Sequence, residues 1–327
     1  MIFEKIHTVP TSDELVDKAF RRGTRALTGK NITGRESARR AQESMVLTAA
    51  NILSDNLANI TRRFPTFDEL PRFYYELADI LVGVDKIRKS LGNVEWASGK
   101  IHDIAREYVG KMRKTSDMVT IRKEAFGRMG SIMRSIDKDL AFLNETRNIL
   151  RKLPSVYADE PTIVVAGYPN IGKSSFVSKV TGASPEIASY PFTTKGVSIG
   201  HFFRDKKRYQ VMDTPGLLDR PMSERNEIEL QAITALKYLD AVVLFILDAS
   251  ETCGYEIEDQ KRMLEDVREN FDMPVLVAAN KSDLPNFKQL DFVDMNMSTM
   301  TGEGIDEVVD HLIKMIEEKE PLEEEDY

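Results

Sequence analysis

Cysteine is nearly absent from this chain of 327 residues: Cys253 stands alone. One thiol closes no intrachain disulfide and builds no cysteine-based zinc site, and the four histidines (His7, His102, His201, His311) show no metal-ligand spacing. Long apolar runs are missing too. The longest, Ala241 to Leu247, falls far short of the roughly 20 residues that cross a bilayer, and MIFEKIHTVP has no signal-peptide core. These shortages predict a chain that neither spans a membrane nor is secreted, in a reducing cytoplasmic compartment. No internal repeat occurs, and no low-complexity tract precedes the C-terminus. With 42% hydrophobic and 30% charged residues, collagen-like, fibrous and wholly disordered classes are excluded.

Charge is present in quantity but unevenly placed. Residues 1–160 hold 28 Lys+Arg against 22 Asp+Glu, and the remainder holds 17 against 31. Much of the basic excess sits in RRGTRALTGKNITGRESARR, where Arg21, Arg22, Arg25, Lys30, Arg35, Arg39 and Arg40 face one acid, Glu36. This asymmetry suggests a half that faces a polyanion and a half that repels it. The competing reading of the cluster is a solvated face. The same two readings apply to Lys111, Arg113, Lys114, Arg122, Lys123, Arg128 and Arg134. RNA contact through them would be backbone-directed and salt-sensitive, because no RRM, KH or zinc-finger signature accompanies them.

The length favours two domains. Residues 11–152 read as helices: Val46, Ala50, Leu53, Leu57 and Ile60 recur at steps of four and three, and Met129, Ile132, Ile136, Leu140 and Leu143 nearly do. TFDEL at 66–70 reads as a helix start. Tyr74, Tyr75, Trp96 and the methionines Met112, Met118, Met129 and Met133 read as core rather than as base-stacking groups. An all-α helical bundle over residues 1–157 is expected. Pro154 and Pro161 bracket a linker, with the boundary near residue 158. Beyond it TIVVAG, GVSIGHFF, RYQVMD, AVVLFILDA and MPVLVAAN read as strands, and helices start at Lys173, Asn226, Glu256 and Gly304. This alternation predicts an α/β domain with a mostly parallel sheet over 158–320. An acidic, solvated tail follows at 321–327.

Three motifs in this second half carry chemistry. GYPNIGKSS (Gly167, Tyr168, Pro169, Asn170, Ile171, Gly172, Lys173, Ser174, Ser175) fits GxxxxGK(S/T) between an apolar strand and a helix. Glycines let backbone N–H groups turn inward around phosphate oxygens; Lys173 reaches the β and γ phosphates and Ser174 binds Mg²⁺. DTPG (Asp213, Thr214, Pro215, Gly216) follows the strand RYQVM, with Asp213 placed to hold Mg²⁺. Gly216 can give its amide to the γ-phosphate. NKSD begins with Asn280 and Lys281 and ends on Asp283, whose carboxylate can accept both the N1–H and the 2-amino group of guanine. Adenine lacks that donor pair. Asn280 braces the site, the stem of Lys281 covers the base, and a backbone N–H among Ser298, Thr299 and Met300 can meet the guanine carbonyl. Each motif alone could be an ordinary turn; in this order and register they favour a GTP site.

These motifs resemble the G motifs of translation-factor-class GTPases. GYPNIGKSS, YPFTTKG and DTPGLLD resemble the Obg-related group, and the helical half containing RRGTRALTGKNITGRESARR resembles the Nog family, the nucleolar GTP-binding protein type. The likeness covers essentially the whole chain. It implies an Obg-type P-loop G domain that binds GTP/GDP and Mg²⁺. It also implies a GTPase acting in assembly of the large ribosomal subunit, with rRNA and ribosomal proteins as partners and no membrane. A monomer is expected. No long extension, glycine-rich domain or TGS domain is found, so the short archaeal-type members are the expected relatives, cytoplasmic rather than nucleolar.

Carried over by residue, the second threonine of FTT falls on Thr194, which would coordinate Mg²⁺ and close the first switch; Thr193 is the fallback. Switch segments are expected at residues 184–196 and 216–226. Where Ras-like enzymes place a water-orienting glutamine, this chain has Leu217, so intrinsic hydrolysis is expected to be slow. Asn170 resembles the potassium ligand of related GTPases, which suggests K⁺ beside the β and γ phosphates; otherwise Asn170 is a turn residue satisfying its own loop. Two other functions compete: a GTP-loaded placeholder on the ribosome with incidental turnover, and a membrane-associated GTPase.

Overall fold

The computed structural model describes residues 2–25, 34–153, 155–157, 160–182, 186–188, 190 and 196–319. Ahead of the first strand its helices are α1 (Ser12–Arg25), α2 (Arg35–Arg63), α3 (Arg72–Val82), α4 (Val84–Met112), α5 (Met118–Ser135) and α6 (Asp137–Leu150). Strand and helix then alternate: β1 (Thr162–Ala166), α7 (Lys173–Thr181), β2 (Glu186–Ala188), β3 (Val197–Arg204), β4 (Lys207–Asp213), α8 (Glu227–Thr234), β5 (Ala241–Asp248), α9 (Ile257–Asn270), β6 (Val275–Asn280), β7 (Met295–Asn296) and α10 (Ile305–Glu318). Among the described residues the chain packs as two compact units, Met1–Leu70 with Val82–Arg151, and Pro71–Leu81 with Lys152–Tyr327.

The first unit is helical. Val46, Ala50, Leu53 and Leu57 of α2 are fully buried, as are Ile87, Val94, Ala97 and Ile101 of α4. The two helices also bond to each other's backbone, Ser54 Oγ donating to the Ser98 carbonyl at 3.0 Å and Ser98 Oγ to the Ser54 carbonyl at 3.1 Å. The apolar stripe from Met129 to Leu143 belongs to two helices, because α5 ends at Ser135 and α6 begins at Asp137; Met133 rather than Ile132 fills the core. Trp96, expected inside, is 50% exposed. TFDEL forms one 3-10 turn at Phe67–Glu69 instead of starting a helix. Pro71 disfavours helical backbone at the residue before it, and Leu70 is extended (ψ 144°). The helix starts one residue beyond the proline, whose carbonyl accepts from Tyr74 N at 2.9 Å.

The second unit is a seven-stranded sheet in the order β2-β3-β4-β1-β5-β6-β7. β1 runs parallel to β4 and β5, and β6 parallel to β5 and β7, while β3 is antiparallel to β2 and β4. Every residue of β5 is buried, as expected of a strand covered on both faces. A helix from the N-terminal half packs here as well. Tyr74 of α3 donates its hydroxyl to the Val156 carbonyl at 2.7 Å and accepts from Val156 N at 2.8 Å, and the Phe73 ring lies 6.5 Å from that of Tyr190. In space, Pro71–Leu81, which holds all but the last residue of α3, groups with the second unit, although it precedes the expected boundary near residue 158 in sequence.

Candidate nucleotide-binding site

Parallel strands put their carboxyl ends along one edge, where α/β sheets receive ligands. Gly167 follows β1, Asp213 ends β4, Asp248 ends β5 and Asn280 ends β6; the register sets Asp213 opposite Val165 and Asp248 opposite Asn280. In the loop after β1 two glycines are required by space as well as by backbone. Gly167 has φ 129°, and a Cβ there would lie 2.2 Å from the Ile246 carbonyl; Gly172 has φ 105°, and a Cβ there would lie 2.2 Å from Asn280 Nδ2. Asn170 between them is exposed at φ 63°, and its side chain makes no hydrogen bond among the described residues. Tyr168 stacks on Tyr255 at 4.1 Å, Ile171 is fully buried, Pro169 is half-buried, and Ser175 is exposed in the first turn of α7. Lys173, itself buried, lays its ammonium across the loop, donating to the carbonyls of Gly167 at 2.7 Å and Tyr168 at 2.8 Å. A cation over a glycine turn that opens on a helix N-terminus is an arrangement suited to phosphate.

Beside it, Ser174 Oγ donates to Asp213 Oδ2 at 2.5 Å. Among the described residues Asp213 Oδ1 is buried with no hydrogen-bond partner, and burial pushes this carboxyl above the usual carboxylate range. An orphaned anionic oxygen next to a hydroxyl fits a small hard cation. The described residues hold no group of three or more His, Cys, Asp or Glu suited to a metal, so such a cation would complete its shell with water and phosphate oxygens. Thr193 and Thr194 lie outside the described residues. Thr214 Oγ1 ties the DTPG segment to β1 through the Val165 carbonyl at 2.8 Å, and Pro215 leads into Gly216, at φ 83°. Leu217 is buried, and the carbonyl of Leu218 accepts from Gly167 N at 2.8 Å.

Asn280 joins the other two motifs. Its Nδ2 donates to the Ile171 carbonyl at 2.7 Å and to Thr299 Oγ1 at 3.0 Å, while Thr299 N donates to its Oδ1 at 2.8 Å. One amide thus pins the phosphate loop to the 298–300 segment. Asp283 is exposed, and its Oδ1 accepts from Ser298 Oγ at 2.5 Å. Ser298 Oγ in turn accepts from the amides of Met300 at 3.2 Å and Thr301 at 3.1 Å. The carboxylate is oriented but open to a ligand; Met300 is 80% exposed beside it. Lys281 (φ 67°) stretches its ammonium to Asp248 Oδ2 at 2.7 Å and Thr252 Oγ1 at 2.8 Å. Sequence reasoning missed Asp248 and Tyr255; Asp219 and Arg225 lie within the expected switch segment 216–226 but were given no role there.

The family model of the NOG1 N-terminal helical domain matches residues 3–157, and that of nucleolar GTP-binding protein 1 (NOG1) matches residues 227–283. An uncharacterised protein of Methanocaldococcus jannaschii is 44% identical over 288 residues, 86% of this chain and 81% of that protein. The chain belongs to the NOG1 family. The NOG1 protein of Caenorhabditis elegans is 37% identical over 325 residues, covering 93% of this chain and 47% of its own length. A crystal structure of a Plasmodium falciparum chain assigned as NOG1 is 33% identical over 50% of this chain and 90% of that one, with a TM-score of 0.46. This NOG1 family member spans about half the length, or less, of the eukaryotic relatives it matches.

The helical unit of this NOG1 family member brings together two basic segments that are distant in sequence. A cavity of about 610 Å³ is lined by Arg21 and Arg25 of α1 and by Arg122 and Lys123 of α5, around the rings of Phe20 and Phe126 stacked at 4.3 Å. No acid lines it. Several cluster members are engaged: Arg21, at the cavity, pairs with Asp17 at 3.1 Å, Arg40 with Glu36 at 2.7 Å and Arg39 with Glu43 at 3.6 Å. Arg22 and Arg35 are exposed, and Lys30 lies outside the described residues.

Proposed function

We propose that this chain binds GTP and GDP at the edge formed by β1, β4 and β6 and hydrolyses GTP, as a switch in assembly of the large ribosomal subunit. The observation that carries the nucleotide reading is the Asn280 brace. It holds the phosphate loop and the 298–300 segment in one frame, with Asp283 oriented by Ser298 for a purine that presents two adjacent donors. Lys173 would meet the β and γ phosphates, and Ser174 and Asp213, with Thr194 from outside the described residues, would hold Mg²⁺, which would neutralise phosphate charge. Water attacks the γ-phosphorus, the bond to the β–γ bridging oxygen breaks, and GDP and phosphate leave. Leu217 is apolar and buried, so it orients no water, and intrinsic turnover is slow. Asn170, whose amide is unengaged among the described residues, is the residue that would hold K⁺. The chain works as a cytoplasmic monomer, and the basic basin on α1 and α5 supports contact with rRNA phosphates.

The test is direct. Purified protein binds GTP in preference to ATP. Asp283→Asn weakens GTP by about 100-fold or more, the scale of two hydrogen bonds to a charged group. The same variant strengthens binding of xanthosine triphosphate, whose 2-carbonyl accepts where guanine donates. Preference for ATP, or unchanged guanine selectivity in Asp283→Asn, overturns the reading. Leu217 also favours a second reading, a ribosome-bound placeholder, for which large-subunit particles leave the hydrolysis rate unchanged.

A further inference from the structure

Gly216 is gripped on both sides of its backbone. Its N–H donates to Asp219 Oδ2 at 2.7 Å, and its carbonyl accepts from Arg225 Nη1 at 3.0 Å. Arg225 closes the ring, with Nη2 3.7 Å from Asp219 Oδ1 and donating to the Arg220 carbonyl at 3.4 Å. The Arg225 side chain is 1% exposed and that of Asp219 19%. A buried guanidinium is expensive to desolvate, and here its bonds converge on a single turn.

An amide N–H has one hydrogen to give. Under the function proposed above, on which this inference rests, the hydrogen of Gly216 goes to the γ-phosphate; in this structure a carboxylate oxygen takes it. Both acceptors are anionic, so they repel one another and cannot share the donor. We propose that Asp219 sets the discrimination between GTP and GDP, its carboxylate occupying the Gly216 amide until a γ-phosphate displaces it. GDP ends at the β-phosphate and leaves the contact intact, so only GTP has to break it. Arg225, already 3.7 Å from the other carboxylate oxygen, receives the displaced group, which therefore never becomes an unpaired charge. The 216–225 turn then changes with the presence of the γ-phosphate, because the amide switches partners.

Affinities for GDP and for a non-hydrolysable GTP analogue, measured by equilibrium fluorescence on the full chain and on its Asp219→Ala and Asp219→Asn variants, test this. Asp219→Ala raises analogue affinity about tenfold, the size of one charge-assisted hydrogen bond, and leaves GDP within about twofold. Asp219→Asn keeps the shape and packing of the side chain but removes the charge, and moves the analogue in the same direction by less. A role confined to folding of the turn would move both nucleotides together, and that result, or an unchanged ratio in both variants, overturns the inference while leaving the nucleotide assignment standing. A wild-type chain that binds neither guanine nucleotide overturns both.

Discussion

The carboxylate of Asp248 is fully buried at the end of β5, and five donors converge on it: the amides of Ser250 (2.9 Å) and Cys253 (2.8 Å), the hydroxyls of Ser250 (2.5 Å) and Thr252 (2.9 Å), and the ammonium of Lys281 (2.7 Å). Burial pushes its pKa up, but the bonds from Lys281, Ser250 and Thr252 outweigh burial and hold it at about 2. The unfolded group titrates near 3.9. A pKa depressed on folding gives stability that is complete above the unfolded value and lost as pH falls through the folded one. Asp248→Asn turns an amide toward several of these donors. We expect it to cost about 3 kcal/mol at pH 7, the scale of breaking a buried pair from one side. The gap from wild type should narrow between about pH 4 and pH 2, read by calorimetric melting. A gap constant over that window would contradict the assignment. Lys281 also loses its anchor, so guanine nucleotide affinity falls with stability. Nothing local in AVVLFILDA announces this hub, because Lys281 stands 33 positions further along; Asp213, Lys173 and Asp283 were legible because each belongs to a motif with fixed spacing.

Among elements, the strands TIVVA, RYQVMD, AVVLFILD and VLVAAN were readable from apolar runs bounded by turn residues, and all four lie in the sheet. Helices expected to start at Asn226, Glu256 and Gly304 have those residues as N-caps, Asn226 through a full capping box with Glu229. β2 and β7 escaped because strands of three and two residues carry no periodicity. α3 was readable as a helix but not as part of the second unit, since amphipathic spacing names a buried face and not what covers it. Its anchor gives a measurement. Burial raises the Tyr74 pKa to about 12, and its hydroxyl satisfies both backbone groups of Val156. Tyr74→Phe strands that pair, and a buried donor or acceptor without a partner costs about 1–3 kcal/mol. The urea midpoint of the second unit should drop accordingly. If only the first unit were destabilised, α3 would belong with the other helices after all.

At the scale of the whole molecule, the opposed charge of the two halves limits where a polyanion can bind. The second half, with 17 basic against 31 acidic residues after position 160, disfavours a polyanion. The helical half has an excess of only a few positive charges, too small to act as a uniform field, so contact depends on where unpaired cations gather. Ion pairs with Asp17, Glu36 and Glu43 engage Arg21, Arg40 and Arg39, so the sequence cluster overstates the usable charge. Folding restores some of it by bringing Arg122 and Lys123, about a hundred residues away, beside Arg25 in a basin that no acid lines among the described residues. Each phosphate neutralised contributes roughly 0.7–0.9 to the slope of log affinity against log salt. Replacing Arg25, Arg122 and Lys123 together by alanine should therefore flatten that slope for purified large-subunit rRNA by roughly two to three. Affinity at low salt should fall while GTP binding, borne by the other unit, stays as it was. An unchanged slope would mean these cations form a solvated face, and the proposed contact with rRNA would have to lie elsewhere on the chain.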